Sequence, residues 1–238
     1  EERDIPQKIQ QNKPYDTKGA EIIDVCLKEG FIEEQSESRY RWIHDKIQEA
    51  ALALVKSENL SNMQYQLGEL LLEKWSETEI RANIFLLVDL LGKNRGVLSD
   101  KDIKERIRMA RLYSIAGDKA FWTSSFSQAA IYLDRAIDLL PNDHWNEHYN
   151  SSLRLFSGAA EAHYCLGVLG KTESYCNEII SQRGPLLDKR RACNVLISSI
   201  AAQGRYIDAQ DECLEVLAKL GIRFPKIGQT FSVVIGIL

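Results

Sequence analysis

A chain of 238 residues, 45% hydrophobic and 27% charged, has the material for one large or two small cored domains and is neither disordered nor built of membrane spans. Its formal net charge of -4 argues against a general nucleic-acid binder, which needs a surplus of Lys and Arg to neutralise phosphates. The five cysteines, Cys26, Cys165, Cys176, Cys193 and Cys213, are odd in number and scattered, so they read as reduced core thiols of a cytoplasmic protein rather than a disulfide framework.

Residues 1–17 are polar, with Pro6 and Pro14 and no periodicity, and read as a linker. Lys18 to Glu29 spells a short helix with Ala20, Ile23 and Leu27 on one face, ended by Gly30. Phe31-Ile32 and Arg39 to Ile43 flank the polar turn Gln35 to Ser38, the composition of a β-hairpin. A helix then opens at Ile43, with Ile43, Ile47, Ala51 and Leu54 on its apolar side, closing a segment that spans 18–56. Over 57–98 a connecting helical pair is expected. Leu60, Met63, Leu67, Leu70 and Trp75 form one stripe, Ile80, Ile84, Leu87 and Leu91 the other, and Gly68 permits a close crossing. Ser99-Asp100 caps the next helix, which carries Lys101, Lys104, Arg106, Arg108 and Arg111. These read either as a basic docking face or as a solvated flank balanced by Asp102 and Glu105, the second being preferred.

From Ala110 to Pro141 the pattern is two helices folded back on each other. Leu112, Ile115 and Ala116 mark the first, and Ala129, Leu133, Ala136 and Leu140 the second. Pro141 has no N–H with which to continue a helix. The layout of Phe126, Ala129 and Leu133 returns at Tyr206, Ala209 and Cys213, and Gly170 lies thirty-four residues before Gly204. On these residues the second half of the chain resembles the tetratricopeptide repeat. The resemblance implies an all-α fold, a right-handed superhelix of helical hairpins over 99–226. Gly117, Ala129 and Ala136 fall on its small-residue positions. The middle unit departs, with Tyr175 where a small residue is usual and a first helix running long, from about His144 to Val168. Residues 227–238 are apolar and stop abruptly, like the cut start of a following helix, and the charged, methionine-free beginning reads likewise as a cut.

The segment Trp42-Ile43-His44-Asp45 through Ala51, behind a helix and a two-stranded wing, resembles the His-Asp motif closing the winged helix of STAND-class signalling ATPases. Those attached to multi-domain serine/threonine kinases and sensor histidine kinases are the most similar. The helices around Tyr65 to Leu72 and Ile84 to Leu90 match the pair leading into their repeats. The resemblance implies that His44, with Asp45, senses the phosphate of ADP held by an ATPase domain of the parent protein. ATP or ADP would then belong to the parent, and no cofactor to this segment. The alternative is that Asp45 only starts a helix and His44 is an ordinary packed or exposed side chain.

Residues capable of catalysis are not assembled by any motif. Gly167-Val-Leu-Gly170-Lys171-Thr172 lacks the first glycine of a P-loop, having Cys165 there, and continues a helix instead of following a strand, so a repeat corner is expected. His144 and His148 have helical metal-ligand spacing without a third ligand, and no metal is expected. A non-catalytic segment that binds a protein or peptide, or neighbouring domains of the same polypeptide, is therefore the expectation, with no membrane partner. Its partner-binding residues, by register with the repeat family, would be Arg111, Ser114, Asp118, Phe121 and Trp122, then Ser157 and Tyr164, then Arg191, Asn194 and Ser198. Phe121 and Trp122 could anchor an apolar ligand or pack against the next helix, with packing preferred. Two rivals stand beside the ATPase arm. One is a free-standing adaptor with a peptide groove, and the other a DNA-reading wing, which Arg39 and Arg41 alone support poorly.

Overall fold

The computed structural model describes residues 15–36, 39–92 and 102–224. The expectations for 1–14, for Ser99-Asp100 and Lys101, and for 227–238 lie outside the described residues. The architecture is all-α with one small antiparallel β-hairpin near the amino end. It divides into two compact units, the first up to Met63 and the second from Gln64.

In the first unit, helix α1 (Tyr15–Lys28) ends where Gly30 takes a left-handed φ of 71°, allowing Phe31 N–H to donate to Cys26 C=O at 2.9 Å. Strands β1 (Ile32–Ser36) and β2 (Arg39–Trp42) follow, with Ile32 opposite Trp42 and Glu33 opposite Arg41. Arg41 Nε donates to Glu33 at 2.8 Å, an opposite-charge cross-strand pair. Helix α2 (Asp45–Ala53) begins two residues later than the periodicity suggests. Ile43 N–H instead prolongs the hairpin pairing to Phe31 C=O at 3.1 Å, and His44 stays extended. Ile43 and Leu54 consequently lie outside the helix and are exposed, Leu54 at 88%. Among the described residues of this unit none is fully buried.

The second unit holds the core. It contains most of α3 (Ser57–Lys74), then α4 (Glu77–Ala82), whose start is fixed by a reciprocal Ser76–Glu79 capping box, and α5 (Ile84–Gly92). Ile84, Leu87, Val88 and Leu91 are fully buried. Gly68 is the close-crossing residue: a Cβ there would lie 2.7 Å from a methyl of Leu91. That approach decides which face of α3 turns inward. Tyr65, Leu71, Leu72 and Trp75 flank Gly68 and pack on the core, whereas Leu67 and Leu70, expected inside, are exposed.

Three helical hairpins follow: α6 (Ile103–Trp122) with α7 (Phe126–Asp138), α9 (Tyr149–Cys165) with α10 (Leu169–Ser181), and α11 (Arg190–Ala202) with α12 (Tyr206–Lys219). One turn, α8 (His144–Glu147), lies between the first two. His148 (φ -132°, ψ 37°) separates it from α9 and shortens the long first helix that was expected. Each hairpin packs on the next, α7 on α9 and α10 on α11, and the first helices α6, α9 and α11 also meet in succession. Such stacking buries what a single hairpin cannot.

The corners inside the hairpins have one conformation. Ser124 (φ 58°), Gly167 (φ 72°) and Gly204 (φ 77°) are left-handed. The residues after them, Ser125, Val168 and Arg205, share φ near -85° with ψ of 60°, 64° and 57°. Each corner repeats the paired carbonyl contacts of a Schellman motif, as in Val168 N–H to His163 C=O at 2.9 Å and Gly167 N–H to Tyr164 C=O at 2.9 Å. Gly167, not Gly170, is therefore the counterpart of Gly204. With that register Thr172, fully buried, is the counterpart of Ala129 and Ala209, and the middle hairpin does carry a small residue at the crossing. The spacing of Gly170 and Gly204 does not reflect equivalent positions, because only the left-handed site requires glycine. The P-loop-like stretch is this corner: Thr172 hydroxyl donates to Val168 C=O at 3.2 Å.

Candidate functional site

The face shared by α6, α9 and α11 carries most of the residues anticipated for partner binding, and several are engaged with one another. Arg154 on α9 reaches α6, donating to Ser114 Oγ at 2.8 Å and standing 3.5 Å from Asp118. Arg191 on α11 grips Glu161 on α9 with two bonds of 2.9 and 2.7 Å. Burial pushes the Asp118 carboxyl above its usual range, against the opposing pull of Arg154 and Arg191. Arg111, exposed one turn before Ser114, has no hydrogen-bond or ion-pair partner among the described residues.

Between α6 and α9 this face opens into a groove of about 430 Å³, within the size range of ligand pockets. Ile107, Ala110, Leu140 and Leu155 form its apolar walls, while Arg111, Ser114 and Arg154 supply polar groups. Of the anticipated residues, Arg111 and Ser114 line the groove, and Asp118 is tied to its edge through Arg154. Ser157 is buried. Asn194 is exposed and lines a separate cavity of about 150 Å³ between α11 and α12, Ser198 is exposed, and Tyr164 is half-buried. Phe121 packs edge-to-face on Phe126 with centroids 5.3 Å apart. Trp122, for which packing was preferred, is 85% exposed, because it closes α6 at the corner. Sequence reasoning missed Arg154, Leu155, Ile107 and Leu140. The signal for Arg154 lay in counting back along α9 from Gly167, the true corner.

At the basic start of α6 the expected balance by Glu105 is present, and a carboxylate of α3 adds to it. Arg108 is held by Glu69 of α3 at 2.6 Å and by Glu105. Burial opposes its charge, but these carboxylates outweigh burial and raise its affinity for the proton. Arg106 donates to Leu140 C=O at 3.2 Å, beyond the end of α7. Lys119 likewise caps α4 through Arg81 and Ala82 carbonyls at 3.0 and 2.7 Å. Lys189, only 5% exposed, donates to Ile180 C=O at 3.1 Å and to Gln182 C=O after α10. Cations at helix carboxyl ends complement the dipole, and Arg106, Lys119 and Lys189 are placed this way.

A second polar cluster joins the first two hairpins. Asp134 of α7 accepts from His163 Nε2 of α9 at 3.0 Å, and from Lys171 Nζ and Tyr175 Oη of α10 at 2.8 and 2.9 Å. Burial would raise the Asp134 carboxyl, yet these three bonds outweigh it and hold the group below its ordinary value. Burial, reinforced by Asp134, pushes the Tyr175 hydroxyl well up.

In the first unit His44 and Asp45 are adjacent and exposed at the start of α2. The cap belongs to His44, not Asp45: Lys46 N–H donates to His44 Nδ1 at 3.1 Å. With Nδ1 accepting, the neutral ring carries its proton on Nε2. His144 and His148 do not converge on a site. His144 Nδ1 meets Ser152 Oγ at 2.8 Å and its ring stacks on Phe156. Burial, the largest influence on that ring, pulls its pKa down. Among the described residues no group of three or more His, Cys, Asp or Glu could hold a metal, and no helix is long and apolar enough to cross a membrane. All five cysteines are free, Cys176 and Cys193 buried and Cys165 exposed rather than on a core face.

The fold and this face define a helix-rich chain of packed helical hairpins whose polar residues largely tie one helix to the next. No protein-family model matches the chain. It is similar to the hybrid signal transduction histidine kinase G of Dictyostelium discoideum, 23% identical over 215 residues, covering 77% of this chain. The chain spans 6% of that protein's length.

Proposed function

We propose that this chain is a non-catalytic regulatory segment of a larger signalling polypeptide, in which an upstream STAND-type ATPase is coupled through tetratricopeptide-like repeats to a kinase or other output domain. The observation that carries this reading is the ordered succession of a helix, a wing, the His44-capped helix, three connecting helices (α3 to α5) where a pair was expected, and three stacked hairpins with corners of one conformation. The likeness to a hybrid signal transduction histidine kinase, of which a segment this size is a small part, agrees with it. The segment boundaries of 18–56, 57–98 and 99–226, a right-handed superhelical path and a cytoplasmic setting belong to the same proposal. The exposed Ile22, Val25 and Leu52 suit a first unit that is the closing part of a winged helix covered by the remainder of that module.

In this reading His44 Nε2–H, left free by the capping bond, donates to an ADP phosphate, and Asp45 favours the helix start. The test is ADP release from the parent polypeptide. His44→Ala should speed release and raise basal output; unchanged exchange kinetics would remove the sensor role. The coding sequence ahead of Glu1 should contain a strand followed by G-x-x-x-x-G-K-[ST]. A gene without it would favour the second reading, an adaptor that receives a protein segment in the groove between α6 and α9. That second reading is favoured by the groove's apolar floor and by the exposed Arg111 on its rim.

A further inference from the structure

We infer that the groove between α6 and α9 takes an acidic segment of a protein chain bearing one aliphatic side chain. The inference rests on the reading that this face receives a protein segment and names the chemistry it selects. The floor is aliphatic: Leu140 and Leu155 are nearly buried, at 9% and 4% exposure, and Ile107 lies beside them. The polar rim holds Ser114, His148, Asn150 and Ser151 beside two guanidinium groups, Arg111 and Arg154, with no carboxylate among the lining residues. The acids elsewhere on this face are already matched, Asp118 to Arg154 and Glu161 to Arg191. Arg111 has no such match among the described residues. It therefore presents an uncompensated positive charge about one helical turn from the place where Arg154 crosses to Ser114.

An unpaired guanidinium above an apolar slot attracts a carboxylate and orients it with paired donors, while the slot buries the neighbouring side chain. A basic segment would meet the like charge of Arg111, and a purely polar one would leave the floor wet. The carboxylate assigned to the occupant is a side chain within a chain, set against Arg111, since Arg154 is already engaged by Ser114 and Asp118.

The experiment uses the full 238-residue chain and a fluorescent peptide, acetylated and amidated, with one leucine set among glutamates. Fluorescence anisotropy should give micromolar binding that weakens with salt. Replacing the leucine by serine, or using Arg111→Glu protein, should each weaken it by about tenfold. The same peptide with lysines for glutamates should not bind. Arg111 is exposed and makes no bond to another described side chain, so Arg111→Glu should keep the wild-type unfolding midpoint. Arg111→Lys, which retains charge but loses the paired donors, should fall between. Absence of binding, equal binding by Arg111→Glu, or binding only when the peptide carries a free α-carboxylate would each overturn the proposal. None of these outcomes bears on ADP release by His44→Ala, so the relay reading stands or falls separately.

Discussion

Leu133 of α7 occupies the space that a side chain on Gly117 of α6 would need: a Cβ at Gly117 would stand 2.6 Å from Leu133 Cγ. Leu133 is 1% exposed, and Gly158 of α9 leaves it room on another side, where a Cβ would meet its methyl at 3.4 Å. One leucine thus fits against glycines of two helices. Gly117→Ala should destabilise the chain by about 1–3 kcal/mol through overpacking, and Leu133→Ala by about 2–5 kcal/mol through the cavity it leaves. The double variant should cost less than the two together, because the alanine methyl enters the space vacated by leucine. Chemical denaturation of the four proteins measures the coupling. Simple additivity would mean that the glycine is not there to admit Leu133.

The corner residues give a prediction of opposite signs at equivalent sites. Ser124 adopts the left-handed conformation that Gly167 and Gly204 adopt freely. Ser124→Gly should therefore stabilise the fold by about 0.5–1 kcal/mol, and Gly204→Ala, whose Cβ would meet nothing, should cost about 1–2 kcal/mol from backbone strain alone. Gly170→Ala, inside α10 and unobstructed, should be neutral or stabilising. Thermal unfolding midpoints order the three. A loss at Gly170 equal to that at Gly204 would contradict the assigned register.

The contrast between Gly167 and Gly170 marks how far the sequence could be read. The α6–α7 hairpin was legible because Ala129, Leu133 and Ala136 are spaced for one buried face, Gly117 lies opposite, and Pro141 bounds it. The middle hairpin was misregistered, since two nearby glycines are alike in sequence and differ only in φ. The buried face of α3 was ambiguous for a related reason. Leucines occur on both of its sides, and only the approach of Leu91 to Gly68 selects one. In the candidate groove Arg111 and Ser114 were legible by register within α6. Arg154 was not, because its role depends on reaching across to another helix, a relation that periodicity within one helix does not encode.

Lys189 is a buried cation whose partners are backbone carbonyls rather than a carboxylate. Its ammonium satisfies acceptors at the end of α10 while its own segment begins α11, so it fixes the connection between the second and third hairpins. Lys189→Met preserves the aliphatic stem but leaves those carbonyls without a donor, and should cost about 1–3 kcal/mol. Hydrogen exchange should locate the loss at the end of α10 and the start of α11. A midpoint equal to wild type would show that water replaces the ammonium at no cost.

The Asp134 cluster predicts a dependence on pH at both ends of the range. The folded carboxyl sits below its ordinary value because Lys171, His163 and Tyr175 all donate to the charged form. A carboxyl held low in the fold contributes stability above its unfolded value of about 3.9, and loses that contribution as pH falls through the lower folded value. Asp134→Asn keeps the shape and removes the charge. Near neutral pH it should lower stability by about 1–3 kcal/mol, and the gap to wild type should close progressively below about pH 4. Tyr175→Phe should show a smaller loss near neutrality, because Asp134 keeps its other two donors. At the alkaline end the sign reverses. The Tyr175 hydroxyl is raised by burial and by Asp134, so its contribution is complete below about pH 10 and declines above it, and only Tyr175→Phe should abolish that decline. Denaturation midpoints measured across this range for the three proteins test the whole argument. A constant difference between wild type and Asp134→Asn down to acid pH would show that the bonds formed at Asp134 do not depend on its charge.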